Sequence, residues 1–474
     1  MSLEARNPLR RTSVRLLSWL LVPLFSLLLA GTAAADLESA MTAYGKGDFG
    51  TAFKGFQELA KLGQPVAQYN LAVMYVRGEG SRQSDIFAYA WASLAAKNGY
   101  ERAQALVDRL RPNLALAPGS EQIAADIESQ YGNTMLDRKL FPRLAAEEGP
   151  ENGERARCRP QHAYIVVYPD EQRREGIQGS AFAEFSLPPD GRARNPHVTY
   201  SVPTRTFEAA VRKSLLHSEF PKAPPGGKTV QCTIYYRFVL DNVRSTDYPQ
   251  LDVFVRRTLQ KAQDGDAGAQ ALYGMLLTGL PQLNKPRSQA LPWFLKSAQA
   301  GVPFSQFQVG FSLMAGWGCD CEENKGLEWL RRAAQSGEPN AEVMLAAYAL
   351  HGTPDEARWR QAKLWLEQAA DSGNHDGKLY LAALLAAAPD EQARDPKRAL
   401  TLVEQVFHGV DDDPTAFEVR AAAQASAADF KAAVASETKA IDMARRLSWD
   451  ITALSERLTR YTANQPWYGA LLDF

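Results

Sequence analysis

The sequence predicts a mainly α protein, an α-solenoid of helical-hairpin repeats interrupted by a small inserted α+β domain. Three observations carry that prediction. Gly265, Gly301, Gly337 and Gly373 stand 36 residues apart, each closing an Ala-rich helical run. Trp293, Trp329 and Trp365 keep the same step, each 28 positions after one of those glycines, and Gly63, Trp91 and Gly99 repeat both offsets near the N-terminus. A fixed period with fixed offsets marks stacked supersecondary units. Between the two sets the pattern changes to strict alternation. Val230, Cys232, Ile234, Tyr236, Phe238 and Leu240 fall on one face of a strand, and Gln231, Thr233, Tyr235 and Arg237 on the other.

In chain order, residues 1–35 read as a signal peptide. Arg10, Arg11 and Arg15 precede an apolar run from Leu16 to Ala30, and Ala33-Ala34-Ala35 is a small-residue cleavage pattern. The run is short beside the ~20 residues a bilayer-spanning helix needs. The expectation is an exported, periplasmic protein with no stable membrane span in its mature chain. The alternative is an uncleaved inner-membrane anchor facing the periplasm. Lys and Arg number 53 against 54 Asp and Glu, with no basic block beyond the leader, so nucleic-acid binding has no electrostatic support.

Residues 36–110 read as N-terminal helical repeats. Phe49, Ala52, Phe53, Phe56, Leu59 and Ala60 recur at helical spacing up to Gly63, and a second helix follows from Val66 to Val76. Ala67-x3-Leu71-x2-Met74-Tyr75-x2-Gly78-x-Gly80, then Asp85, Ala88, Trp91, Ala95-Ala96 and Gly99, resembles the Sel-one-like repeat, a relative of the tetratricopeptide repeat. Residues 250–408 resemble further copies. Gly316-x-Gly318, Trp329, Ala333-Ala334 and Gly337 fit well; the copy from Gly265 has Leu280 and Gln282 at the turn positions. Residues 409–474 are expected to form a degenerate tetratricopeptide-like cap, with helices near 417–427, 430–444 and 452–462. Residues 111–157 are expected to be a helical spacer ending in a flexible joint.

Residues 158–242 read as the inserted α+β unit. Ala181, Ala183, Phe185 and Leu187 alternate up to the turn Pro188-Pro189-Asp190-Gly191, and His197–Ser201 pairs back. Thr204 is placed as the cap of a helix from Thr206 to about His217, with Phe207, Ala210, Val211 and Leu215 inward. Tyr168-Pro169, Gly176-Ile177-Gln178-Gly179, Asp190-Gly191, Phe207-x-Ala209-Ala210, Phe220-Pro221 and the final strand together resemble the C-terminal domain of TonB-type energy transducers. That resemblance implies binding of an extended segment of an outer-membrane receptor beside an exposed strand. The implied peptide surface is Tyr168 and Pro169 with the last strand, Tyr235 and Arg237; Tyr168-Pro169 equally suits a role in shaping the first helix. Here the domain is internal, and no long proline-rich spacer precedes it.

Four cysteines in an exported chain suggest disulfides. Cys158 and Cys232 bracket the β domain and are read as a bridge, a buried thiol at Cys232 being the alternative. Cys319 and Cys321 are read as a bridge tightening a repeat turn. His162, His197, His217, His351, His375 and His408 are scattered, with no zinc-ligand spacing, and no residue is assigned a catalytic, cofactor or metal role. The function expected is a non-enzymatic periplasmic adaptor of the cell envelope, binding proteins through its repeats and its β domain. Energy transduction is the reading if the leader stays in the membrane. A β-lactam- or peptidoglycan-binding repeat enzyme is the other alternative.

Overall fold

The computed structural model describes residues 2–5, 36–114, 119–144, 157–203, 206–224, 227, 229–240, 249–280, 283, 287–351, 355–407 and 413–472. The expected leader apart from Ser2–Ala5, the flexible joint, the Thr204 cap and His408 lie outside these residues.

The N-terminal array runs α1 (Leu37–Gly45), α2 (Phe49–Lys61), α3 (Pro65–Arg77), α4 (Asp85–Lys97) and α5 (Glu101–Leu114). Two further helices follow, α6 (Ser120–Tyr131) and α7 (Asn133–Lys139). The β domain contains α8 (Asp170–Glu175), β2 (Gly179–Leu187), β3 (Arg194–Val202), α9 (Glu208–His217) and β4 (Val230–Phe238); Ser2–Ala5 forms β1. The C-terminal array starts α10 (Pro249–Gln263), α11 (Ala267–Gly279), α12 (Leu291–Gln299), α13 (Pro303–Ala315) and α14 (Glu323–Gln335). It continues α15 (Pro339–Leu350), α16 (Glu356–Asp371), α17 (His375–Ala387) and α18 (Pro396–Val406), and ends α19 (Pro414–Ser426), α20 (Phe430–Arg446) and α21 (Thr452–Thr462).

The 36-residue register is a hydrogen-bonding device. Gly265 and Gly301 adopt φ of +94° and +91°, left-handed values that favour glycine. The residue after each glycine donates its N–H back to the last helical turn, Asp266 to Lys261 O and Val302 to Ser297 O, which ends the helix. The next helix opens on a proline at its first turn (Pro65, Pro303, Pro339) or under an Asp or Asn cap (Asp266, Asn374). Five residues beyond the glycine a buried glutamine ties the helices together. Gln68, Gln270 and Gln306 each donate Nε2 to the carbonyl eight residues earlier, at 3.1, 3.1 and 3.2 Å.

In the next copy that position is Glu342. A carboxylate has no proton to give to the equivalent carbonyl, and its Oε2 is buried without a partner. Burial first, then the charge of Glu338, pushes its pKa from 4.5 up to about 7. A carboxyl whose pKa is raised on folding makes the folded chain bind more protons than the unfolded one. Stability therefore falls as pH rises from about 4.5 towards 7 and levels off above that. Glu342→Gln is expected to raise stability by about 1–3 kcal/mol at pH 8, with the gain shrinking towards pH 4.5. Urea denaturation of both proteins across pH 4.5–8 measures it; a gain independent of pH would refute the assignment.

The sheet order is β1-β4-β2-β3, with β1 parallel to β4 and the other pairs antiparallel. One face forms the domain core: Ala181, Ala183, Phe185, Leu187, Ile234, Tyr236 and Phe238 pack on Phe207, Val211 and Leu215 of α9. The expected inward face of that helix is the observed one. The Cys158–Cys232 disulfide closes the domain.

The stretch read as a spacer does more than connect. Leu136 and Leu140, with Leu62 of the N-terminal array, join a core with Met275, Leu291, Phe294 and Trp329 of the C-terminal array. Lys325 donates Nζ to the carbonyls of Asp137 and Phe141 at 2.7 and 2.8 Å, and Asp320 N donates to Arg143 O at 3.0 Å. Leu37 N to Ala300 O at 3.0 Å and Gln299 Nε2 to Leu62 O at 3.0 Å add direct contacts between the arrays. The two arrays therefore touch each other directly.

Candidate functional site: the β domain in the helical groove

The first helix of each repeat lines one wall of the solenoid, and the C-terminal copies are covered on a second side. In α13 every residue from Ser305 to Leu313 is buried, whereas α3, at the same register in the N-terminal array, buries only Ala67, Gln68, Leu71, Ala72 and Met74. A helix buried all round has neighbours on both faces. For α13 that neighbour includes Leu136 and Leu140 at α7, which share a core with its Val309 and Leu313, and the β domain packs on α11, Trp317 and α15 beside it. Tyr235 Oη donates to Thr278 O of α11 at 2.7 Å, and Phe182 packs on Tyr235 and on Trp317, with centroids 4.6 and 5.0 Å apart. Asn340 of α15 donates to Thr199 O at 3.1 Å. Leu216 joins Phe417, Ile441 and Trp449, and the Arg194 guanidinium stacks 3.7 Å over the Trp449 ring.

At the centre of this contact lies a buried ionic cluster. His197 of β3 pairs through Nδ1 with Asp376 Oδ2, at the start of α17. Arg212 of α9 pairs with Asp413 at 3.2 Å and stands 3.9 Å from Asp376. Glu184 is the cross-strand partner of His197, and burial raises its pKa to about 7, against the lowering effect of His197. Burial pulls His197 down, but the Asp376 carboxylate outweighs it and the net shift is upward. Burial likewise opposes ionisation of Asp376, and His197 and His375 overcome it, holding Asp376 well below the usual carboxylate range.

The sequence assigned none of these residues a role. Asn340 and Asp376 are one repeat apart, and both reach β3 from the first turn of their helices. That shared repeat position, polar where the earlier copies carry Gly268 and Phe304, is the signal that was available.

The residues singled out for peptide binding are placed differently from one another. Tyr235 is buried under α11 through its hydroxyl bond, so the face of β4 expected to be open is covered. Tyr168 is also buried. It donates to Ile177 O and packs edge-on against Phe207 and Phe238, directly before α8, with Pro169 half-buried at the start of that helix. Arg237 stays half-exposed. The outer backbone edge of β4 is taken by Ser2–Ala5, which pairs in parallel opposite Tyr235–Phe238.

Cys319 and Cys321 are not joined by a disulfide, a correction to the expected bridge. Each turns to a different carbonyl at the end of α13, Cys319 to Ser312 O at 3.5 Å and Cys321 to Met314 O at 3.3 Å. A bond across one intervening residue would have to distort that turn. Burial, with Glu322 and Asp320 nearby, pushes the Cys319 thiol up to about 12. Among the described residues no group of three or more His, Cys, Asp or Glu is arranged for a metal, and no helix is long and apolar enough to cross a membrane.

Of the register residues, Gly63, Gly99, Gly265, Gly301, Gly337 and Gly373 all have left-handed φ. Trp91 and Trp329 are buried, and Trp293 and Trp365 are half-buried.

Comparison with known families agrees with this architecture. The Sel1 repeat model matches residues 65–100, 267–302, 303–338 and 339–374. The model for the Gram-negative bacterial TonB protein C-terminal matches residues 165–240. No curated protein matches the chain. Among solved structures, a Sel1 repeat protein from Oxalobacter formigenes is similar at 19% identity, over 48% of this chain and 96% of that one, with a TM-score of 0.33. A protective antigen of uropathogenic Escherichia coli strains with an SLR fold is similar at 16% identity, over 90% and 79%, with a TM-score of 0.32. Four segments of the chain thus match the Sel1 repeat and, between the first and second of them, one matches the TonB C-terminal domain.

Proposed function

We propose that this protein is a periplasmic adaptor of the cell envelope that captures an extended segment of a partner along the outer edge of β4. The carrying observation is the pairing of Ser2–Ala5 with β4 in parallel register, Ser2 opposite Tyr235 and Ala5 opposite Phe238. An edge that accepts one extended segment through backbone hydrogen bonds accepts another of similar backbone form. Cleavage of the expected leader removes Ser2–Ala5 and leaves that edge open. The disulfide supports an oxidising compartment. The ionisable cluster supports binding over catalysis, because it is sealed in an interface between two parts of the chain rather than open in a cleft. An outer-membrane receptor is the partner that the β domain's family points to.

A photoreactive side chain in place of Arg237 tests the reading in cells. The expected product is a crosslink to an extended segment of an envelope protein, mapped by mass spectrometry and lost when a peptide of that segment competes. Crosslinks confined to folded surfaces, or none above a control placed at exposed Lys431, would overturn it.

A further inference from the structure

The C-terminal repeats are covered here by the chain's own β domain, and ionisable groups from both sides meet at the contact. Three elements of the β domain contribute: Glu184 from β2, His197 from β3 and Arg212 from α9. Facing them are Asp376, His375 and Tyr380 of α17 and Asp413 ahead of α19. Glu338 and Glu342 of α15 are buried one repeat away and do not act on Glu184. With Glu184 and His197 both deprotonated, three carboxylates face a single guanidinium. With both protonated, Asp376 and Asp413 are balanced by His197 and Arg212. A buried cluster with excess charge is costly, and a balanced one is not. Glu184 Oε1, His197 Nε2 and Arg212 Nε are also buried without hydrogen-bond partners, so the seated state leaves polar atoms that water would satisfy on release.

We propose that the β domain is a self-ligand of the C-terminal repeats, seated in mild acid and released when Glu184 and His197 lose their protons beside Asp376 at alkaline pH. The covered face of those repeats then becomes available to a partner only where the pH is high enough to unseat its resident. The proposal does not depend on what β4 binds.

Amide hydrogen exchange of the full chain between pH 6 and pH 8.5 tests it, after division by the intrinsic base-catalysed rate. Peptides covering β3 and residues 375–381 should lose at least tenfold of their protection over that range. Peptides of α3, in the N-terminal array, should not. Glu184→Gln, isosteric and uncharged, should retain the protection of those peptides at pH 8.5, while Arg212→Met should lower it already at pH 6. Protection of β3 that is flat with pH in the wild type, or a pH step undiminished in Glu184→Gln, would overturn the proposal.

Discussion

Arg457→Ala is expected to destabilise the C-terminal cap by about 3–5 kcal/mol, because it removes the cation shared by two buried carboxyls. Arg457 of α21 reaches Glu418 of α19 through Nη2 and Glu437 of α20 through Nε at 3.3 Å, so one side chain binds all three cap helices. The three side chains are 4%, 8% and 0% exposed, which places the whole triad beyond the screening of solvent. Burial pushes Glu437 up to about 8 even with Arg457 beside it, a measure of how poorly this site tolerates charge. Lysine would not substitute, since one ammonium cannot present the divergent N–H groups that meet two helices. Replacing the whole triad by apolar groups, Arg457→Met with Glu418→Leu and Glu437→Leu, should recover most of the loss, because the desolvation cost leaves with all three charges. A repeat array unfolds in stages, so the readout is the first urea transition, followed by Trp449 and Trp467 fluorescence. A loss under 1 kcal/mol for Arg457→Ala would show that the triad is not what holds the cap.

The repeats were legible because their determinants are local. A left-handed glycine, a proline or Asx start and a tryptophan at constant offset act within one 36-residue unit, so periodicity exposes them without knowledge of the rest of the chain. The core face of the β domain was legible for the same reason, since alternation separates the two faces of a strand. Alternation does not say what covers the second face. Tyr235 and Phe182 are compatible with solvent or with a neighbour, and the neighbour is Thr278 and Trp317, 43 and 135 residues away in sequence. The ionic cluster was hidden more deeply. His197 and Asp376 are 179 residues apart, and each is unremarkable in its own segment. The unbridged Cys319 and Cys321 follow the same logic: spacing brought them together, and the carbonyls at the end of α13 decided their orientation.

Trp329 shows what such distant contacts contribute, and its replacement is the second large expected effect. Its register-mates Trp293 and Trp365 are half-buried, yet Trp329 is fully buried, because the segment after α7 lies across it and accepts its Nε1–H at Leu140 O, 2.8 Å away. Within the C-terminal array the same repeat position thus serves as ordinary inter-helix packing in two copies and as the clasp between the arrays in the third. Trp329→Ala should cost about 3–5 kcal/mol through the cavity it leaves among Leu136, Leu140 and Phe294. Trp329→Phe separates the two contributions. It keeps most of the apolar volume but leaves the Leu140 carbonyl without its donor, at a cost of roughly 1–3 kcal/mol. Trp293→Phe and Trp365→Phe should each cost less than about 1.5 kcal/mol, as a volume-reducing swap at a half-exposed site. The ordering is checked by urea denaturation, and the location by proteolysis, because loosening the clasp should speed cleavage between α6 and α14 while sparing the cap. Equal losses at all three tryptophans would mean that Trp329 acts within its own repeat and that the arrays are held together elsewhere.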